Sequence, residues 1–112
     1  MFNLQFSDHF SRDLQATQDY LVDNLKNPQA AAKLLAEINT KIDRLIERPY
    51  IDAVYHPLKK LKNEYRSFSA GSYLVFYWIQ DYHDGEKEVK NVIIEAMLYK
   101  KQDALPAMKS KV

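Results

Sequence analysis

The stretch that decides the fold is YRSFSAGSYLVFYWI, at residues 65–79. Its first five residues have the composition of a β-strand, and Ala70-Gly71-Ser72 has that of a turn. Residues 73–79 are a nearly unbroken run of aromatic and branched aliphatic side chains, which is typical of a central strand covered on both faces. The stretch therefore predicts a β-hairpin whose second strand lies inside a sheet.

A second hairpin comes next along the chain. Asp84-Gly85 is a favourable hairpin turn, and residues 88–99 predict a long last strand. Because side chains alternate along a strand, this strand has two faces. One would carry Val92, Ile94, Ala96 and Leu98, and the other would carry Ile93, Glu95, Met97 and Tyr99.

The residues before this stretch predict one short strand and two helices. Residues 2–6 alternate between apolar and polar side chains, as a half-buried strand does. Apolar residues then recur every three or four positions over 8–25 and again over 28–47, which predicts two amphipathic helices. The short link between them implies an antiparallel helical hairpin.

Local signals set the helix ends. Ser7 and Asp8 are good capping residues for the first helix, and Asn27-Pro28 ends it and begins the second. Arg48-Pro49 ends the second helix, because the residue before a proline disfavours helical backbone. Residues 49–63 predict a loop.

The predicted order is β-α-α-β-β-β, an α+β fold. An N-terminal strand and an antiparallel helical hairpin precede a three-stranded antiparallel meander, and both helices cover one face of the sheet. The other face is left for function or for a partner. We expect a single domain over residues 1–103 and a short C-terminal tail over 104–112.

Composition narrows the classes of function. The chain of 112 residues contains no cysteine, which excludes disulfides, thiolate metal sites and cysteine nucleophiles. We expect no metal and no cofactor, and no signal peptide or membrane span, so a cytoplasmic location is predicted. The net charge is +1, which argues against sequence-specific DNA binding by the chain alone. Lysines nevertheless cluster at residues 59–62 and 100–111.

Three segments resemble the RelE/ParE toxin superfamily. The first is Asn27-Pro28-Gln29-Ala30-Ala31 at the join between the helices. The second is Glu64-Tyr65-Arg66-Ser67-Phe68 with Gly71-Ser72-Tyr73-Leu74-Val75-Phe76-Tyr77. The third is residues 93–103, at the end of the closing strand and just beyond it, with the sequence IIEAMLYKKQD. Together they span roughly residues 2–103, and their order and spacing are more specific than any one of them.

The resemblance implies the toxin of a type II toxin–antitoxin module. Such a toxin arrests growth and is neutralised by a cognate antitoxin, commonly through a disordered segment that folds on binding. ParE-like members inhibit DNA gyrase, whereas RelE-like members are metal-independent endoribonucleases that cut mRNA on the ribosome. Three hypotheses result: a gyrase-directed toxin, which we favour, a ribosome-dependent nuclease, and a non-toxic relative that only binds antitoxin.

RNA cleavage by the 2′-hydroxyl needs a base, an acid and positive charge at one phosphate. The catalytic candidates are Arg66, Lys100, Lys101, Tyr99, Glu95 and His56, with Tyr77 as a further proton donor. The target-binding candidates are Lys59, Lys60, Lys62, Arg66, Lys100 and Lys101. Structural roles compete with these: an ion pair of Arg66 with Glu64 or Glu95, packing of the tyrosines, and a loop role for His56.

Two departures from the nuclease pattern favour gyrase as the target. Leu74 stands where many RelE-like enzymes carry an arginine after the strand tyrosine, and Gln102-Asp103 comes after the closing strand without a histidine. The nearly neutral charge points the same way, because contacts to ribosomal RNA are mostly contacts to phosphate.

Overall fold

A computed structural model describes residues 2–56 and 61–100. The elements are β1 (Asn3–Phe6), α1 (Asp8–Asp19), a π-helical turn (Tyr20–Asn24), α2 (Pro28–Glu47), β2 (Arg66–Ala70), β3 (Tyr73–Asp84) and β4 (Lys87–Tyr99). The predicted β-α-α-β-β-β order is confirmed. Lys59, Lys60 and Lys101, together with the predicted tail over 104–112, lie outside the described residues.

Both helices begin where the capping residues predict, whereas the helix predicted over 8–25 is α-helical only to Asp19 and continues as the π-helical turn. The Ser7 Oγ accepts from the Phe10 N–H at 3.0 Å, and the Asn27 Oδ1 accepts from the Ala30 N–H at 3.1 Å. Each bond satisfies one of the backbone donors that a helix leaves unpaired at its start. Pro28 occupies the first turn of α2, where its missing N–H carries no penalty.

The four strands form one sheet in the order β1-β4-β3-β2. The β2–β3 and β3–β4 pairs are antiparallel, and β1 joins β4 in parallel, with Leu4 opposite Val92. Gly71 turns β2 into β3 with a φ of 56°, a left-handed conformation that glycine adopts without strain. β3 continues to Asp84, five residues beyond the predicted run.

The sheet has a helix face and a loop face. On the helix face, α1 and α2 pack on the strands around Phe10, Ile38, Leu45, Val75 and Ile94, all buried. The expectation that both helices cover one face is confirmed. No helix within the described residues is long and apolar enough to cross a membrane.

The loop face carries a second, smaller core. Tyr65, Phe76, Ala96 and Leu98 are buried there, with Tyr55 and Leu61 of the connecting loop packed against them. The expectation that this face is left for function or for a partner is therefore wrong for its central part. The described parts of the loop between α2 and β2 pack on the sheet here because these aromatic and aliphatic side chains gain by leaving water.

The predicted alternation along β4 breaks at Glu95. Phe76 pairs with Ala96 and Tyr77 pairs with Ile94, so Glu95 is the extra residue of a β-bulge. Val92, Ile94 and Met97 belong to the helix-face core, whereas Ala96 and Leu98 belong to the loop-face core. The face assignment for residues beyond Glu95 was therefore wrong by one position.

Candidate functional site

The guanidinium of Arg66 binds groups inside the protein. Nη1 donates to the carbonyl oxygen of Asp52 at 2.7 Å and to that of Tyr50 at 3.3 Å. Nη2 lies 3.9 Å from Oε1 of Glu64, which is one of the two predicted ion pairs, and the side chain is 18% exposed. By alternation from Phe68, Arg66 lies on the helix side of β2 and not beside the loop face. It holds the loop after α2 against the sheet.

Asp52, which the sequence analysis missed, is the centre of a polar network. Nη2 of Arg44 donates to both carboxylate oxygens of Asp52 at 3.1 Å. The Tyr77 hydroxyl lies 3.2 Å from Oδ2 of Asp52 and 3.0 Å from the carbonyl oxygen of Pro49. No motif marks this aspartate, because its partners lie 8 and 25 residues away in sequence.

The same network encloses Tyr77, one of the candidate proton donors. Its side chain has 0% exposure. Burial raises the pKa of Tyr77 well above its ordinary value, and the negative charge of Asp52 raises it further. The hydroxyl therefore bonds to the loop and faces no solvent from which a substrate would approach.

Glu95 and Tyr99, expected on the same face of β4, lie on opposite faces. By alternation from Ile94 of the helix-face core, Glu95 lies on the loop face. Burial raises the pKa of Tyr65 there, a hydrogen bond from Asn63 opposes this, and the charge of Glu95 adds to the rise. The ring of Tyr99 lies 5.7 Å from that of Tyr73, which packs against the helix-face core. The bulge at Glu95 separates these two candidates.

Lys100 comes after Tyr99 at the end of the sheet where β2 turns into β3. Its backbone N–H donates to the carbonyl oxygen of Ser72 at 2.9 Å, and its side chain is exposed. The prediction for Lys101 falls outside the described residues. Lys100 is thus an exposed cation at the β2–β3 turn, toward which β2 runs from Arg66.

His56 and Lys62 are brought together by the loop between α2 and β2. Both are exposed, and both line a cavity of about 380 Å³ with Tyr55, Leu61 and Glu64. Lys59 and Lys60 fall outside the described residues. Among the described residues, no three histidine, aspartate or glutamate side chains are grouped so that they could hold a metal ion.

The candidates therefore fall in three separate regions. Arg66 and Tyr77 belong to the Asp52 network, and His56 and Lys62 line the loop cavity. Tyr99 and Lys100 lie beside the turn between β2 and β3.

Arg66 pairs with Tyr77 of β3, whereas Tyr99 pairs with Tyr73, four residues away along the same strand. At ~3.4 Å per residue this is roughly 14 Å along the strands, and β2 and β4 lie on opposite sides of β3, about 10 Å apart. Arg66 and the Tyr99–Lys100 pair cannot reach one phosphate in this arrangement.

A second surface, the hairpin groove, lies between α1 and α2. It has a volume of about 370 Å³, and its apolar lining is Phe6, Phe10, Leu14, Leu35, Ile38 and Ile42. Phe6 is 50% exposed and Leu35 is 39% exposed. Such apolar exposure along a helical hairpin is typical of a surface that receives a partner.

The β-α-α-β-β-β fold and the three sequence segments described above are those expected of a toxin of the RelE/ParE superfamily, from a type II toxin–antitoxin system, and a family comparison supports this class. Residues 4–99 match the family of the ParE toxin of type II toxin-antitoxin system, parDE. The match covers most of the chain, which therefore belongs to the ParE toxin family.

A solved structure gives an independent comparison of the fold. A chain of the chromosomal ParDE TA system from P. aeruginosa superposes with a TM-score of 0.60 at 18% sequence identity. The alignment covers 88% of this chain and 96% of that chain. At this identity the likeness concerns the fold alone. No curated protein matches the chain.

Proposed function

We propose that this toxin arrests growth by inhibiting DNA gyrase and that a cognate antitoxin neutralises it. The observation that supports this most is the separation of the candidate nuclease groups. A metal-independent RNA cleavage needs its base, acid and cation within hydrogen-bond reach of one phosphate. Here the best cation, Arg66, binds backbone carbonyl oxygens, and Tyr99 lies roughly 14 Å from it along the strands.

Membership of the ParE family supports the same target. So does the net charge of +1, since a protein that works by binding ribosomal RNA is usually strongly basic. In this proposal Lys62 and Lys100, both exposed, are docking residues for the target, and Arg66 acts indirectly by fixing the loop that carries His56.

One observation favours the ribosome-dependent nuclease as a second candidate. His56 and Lys62 line the same cavity, and such a pair can supply an acid–base group and a phosphate-binding cation. Arg66 would then position this loop without touching RNA. This candidate predicts that His56→Gln abolishes message cleavage, whereas the gyrase proposal predicts that it leaves inhibition of gyrase unchanged.

The antitoxin would bind the hairpin groove. A groove lined by Phe6, Leu14 and Leu35 with polar Gln15 and Asn39 at its rim matches the apolar face of an amphipathic helix. The expected result of Leu35→Glu is weaker antitoxin binding with the toxin still folded, because Leu35 is already partly exposed. Unchanged antitoxin affinity in this variant would place the antitoxin elsewhere.

Two assays on one sample of toxin, purified by release from its co-expressed antitoxin, test the proposed target. One monitors supercoiling by gyrase, and the other monitors a message on programmed ribosomes by primer extension. Loss of supercoiling with an intact message is the expected result. A cut message with normal supercoiling would overturn the proposal in favour of the nuclease. If the toxin affects neither supercoiling nor the message, the hypothesis of a non-toxic relative is supported.

A further inference from the structure

The β3–β4 hairpin extends well past the body of the domain. Ile79 and Val92 are the last residues of these strands that pack against the helix-face core. Beyond them, the ribbon formed by residues 80–91 continues as paired strands through the turn at Gly85. Residues 81–88 are all exposed, and the tip lies roughly 15–20 Å beyond the core at ~3.4 Å per residue.

Neither edge of the ribbon is covered by another described strand. β2 pairs with β3 only as far as Tyr77, and β1 pairs with β4 only from Asn91 onward. Charged side chains along such edges commonly prevent aggregation, and this role alone would explain some of the charged residues of the ribbon. It does not explain why the chain maintains a projecting arm that the core does not require.

The base of the ribbon is held in place. The Asn91 side-chain amide donates to Oε1 of Gln80 at 2.9 Å, and the Tyr50 hydroxyl donates to Asp81 at 2.8 Å. Nζ of Lys90 lies 3.6 Å from Asp81 and 3.3 Å from Glu88. Of these contacts, the bond from Tyr50 joins the ribbon to the rest of the domain, and the others join its two strands. Such ordering of the base reduces the entropy lost when a partner binds the ribbon.

The charge of the ribbon differs in sign from that of the whole chain. Residues 81–90 contain four carboxylates, Asp81, Asp84, Glu86 and Glu88, against two lysines, Lys87 and Lys90, a balance of −2 in a chain of net charge +1. Lys90 is shared by Asp81 and Glu88. This leaves Asp84 and Glu86 at the tip with Lys87 as the nearest cation in sequence.

Tyr82 supplies an apolar contact beside these charges. It is 51% exposed and pairs across the ribbon with Val89. Tyrosine is one of the residue types most enriched at binding hot spots, where its ring supplies a large, rigid contact. Tyr82 could instead serve only to pack on Val89 within the ribbon. A β-branched replacement, which keeps the propensity for a strand but removes the ring, separates this structural role from a binding role.

We propose that the ribbon of residues 80–91 is a target-docking arm, with Asp84 and Glu86 directed at a basic groove of the target protein and Tyr82 as its anchor. This rests on the proposed function. An enzyme that handles DNA must present lysine and arginine to phosphate, and an acidic ribbon complements such a surface. The same charge opposes direct binding of the ribbon to nucleic acid.

Charge variants at the tip test this proposal on the full chain. Asp84→Asn with Glu86→Gln, and then Asp84→Lys with Glu86→Lys, should raise the toxin concentration for half-inhibition of gyrase stepwise, the second by about tenfold or more. The matched control is Asp43→Lys with Glu47→Lys, the same charge change at exposed positions of α2. The control should stay within about twofold of the parent.

Two further measurements make the test independent of folding defects. Tyr82→Thr should weaken inhibition several-fold, with antitoxin binding by every variant serving as the measure of correct folding. The parent's inhibition should also weaken as salt rises, because the contact is electrostatic.

If the parent inhibits gyrase and the tip variants inhibit equally well, the docking arm is overturned and the proposed function stands. A parent without effect on gyrase overturns both. Unchanged inhibition by Tyr82→Thr, with normal antitoxin binding, would likewise overturn Tyr82 as the anchor of the docking arm.

Discussion

Asp52 joins three separate segments of the chain through one residue. Arg44 reaches its carboxylate from α2 and Tyr77 reaches it from β3, while the backbone carbonyl of Asp52 accepts from Arg66 of β2. The segment that bears His56 therefore has its position set by four residues that pattern analysis cannot connect. Strand and helix periodicity predicts which side chains are buried, but it carries no information on which distant polar groups meet.

Removing the Tyr77 hydroxyl tests this network. Tyr77→Phe removes the single O–H donor that the Pro49 carbonyl and the Asp52 carboxylate share, and we expect a loss of about 1–3 kcal/mol in the free energy of unfolding. Urea denaturation near neutral pH measures it. Tyr82→Phe, at an exposed position, is the matched control and should change stability by less than about 0.5 kcal/mol.

The same variant should also change how stability depends on pH. The pKa of Tyr77 is raised in the folded protein from its ordinary value of 10.0, by burial and by Asp52. Just above pH 10 the phenol of the unfolded chain therefore loses its proton, while that of the folded protein keeps it. The folded state then holds more protons, and its stability falls as pH rises. Between about pH 10 and pH 11 the slope for Tyr77→Phe should be shallower than that of the parent by up to ~1.4 kcal/mol per pH unit. Equal slopes would contradict the enclosed hydroxyl.

Among the elements, helices were predicted more accurately than faces of strands. α2 begins at Pro28 and ends at Glu47, as predicted, because Asn27 and the Arg48-Pro49 pair act locally. The bulge at Glu95 was missed, because the run from Val92 to Leu98 is apolar in either register and a single inserted residue leaves no trace in it. Without the bulge, Glu95 and Tyr99 would lie on the same face of β4, and with it they lie on opposite faces.

Ser7 connects an element boundary to this bulge. Its Oγ caps α1 through the Phe10 N–H at 3.0 Å and also donates to the carbonyl oxygen of Glu95 at 2.6 Å. Ser7→Ala removes both bonds, whereas Asn27→Ala removes only the cap of α2. We expect Ser7→Ala to be the more destabilising by about 1 kcal/mol, as measured by urea denaturation.

A third variant separates the two roles of Ser7. Ser7→Asp keeps an acceptor for the helix cap, but an ionised carboxylate has no proton to donate to Glu95. Its stability should therefore lie below that of the parent. Parent-like stability in Ser7→Asp, or equal losses in Ser7→Ala and Asn27→Ala, would show that the bond to the bulge contributes nothing.

The two cores of the described residues share the strands of one sheet. β3 and β4 contribute side chains to both: Val75 and Ile94 to the helix-face core, and Phe76 and Leu98 to the loop-face core. Loss of either core would leave one face of the same strands exposed to water. The two cores should therefore unfold together, although one is formed by helices and the other by a loop.

Two optical signals report on the two faces separately. Far-ultraviolet circular dichroism monitors the helices, and fluorescence of Trp78, the single tryptophan, monitors the loop-face core. We expect Leu45→Ala and Leu98→Ala, both at buried positions, to cost about 2–5 kcal/mol each and to shift both signals by the same amount. Leu35→Ala, at a partly exposed position of α2, is the matched control and should shift them by much less. Two separate transitions in either buried variant would show that the loop face folds independently, and the single-domain prediction for this chain would then be wrong.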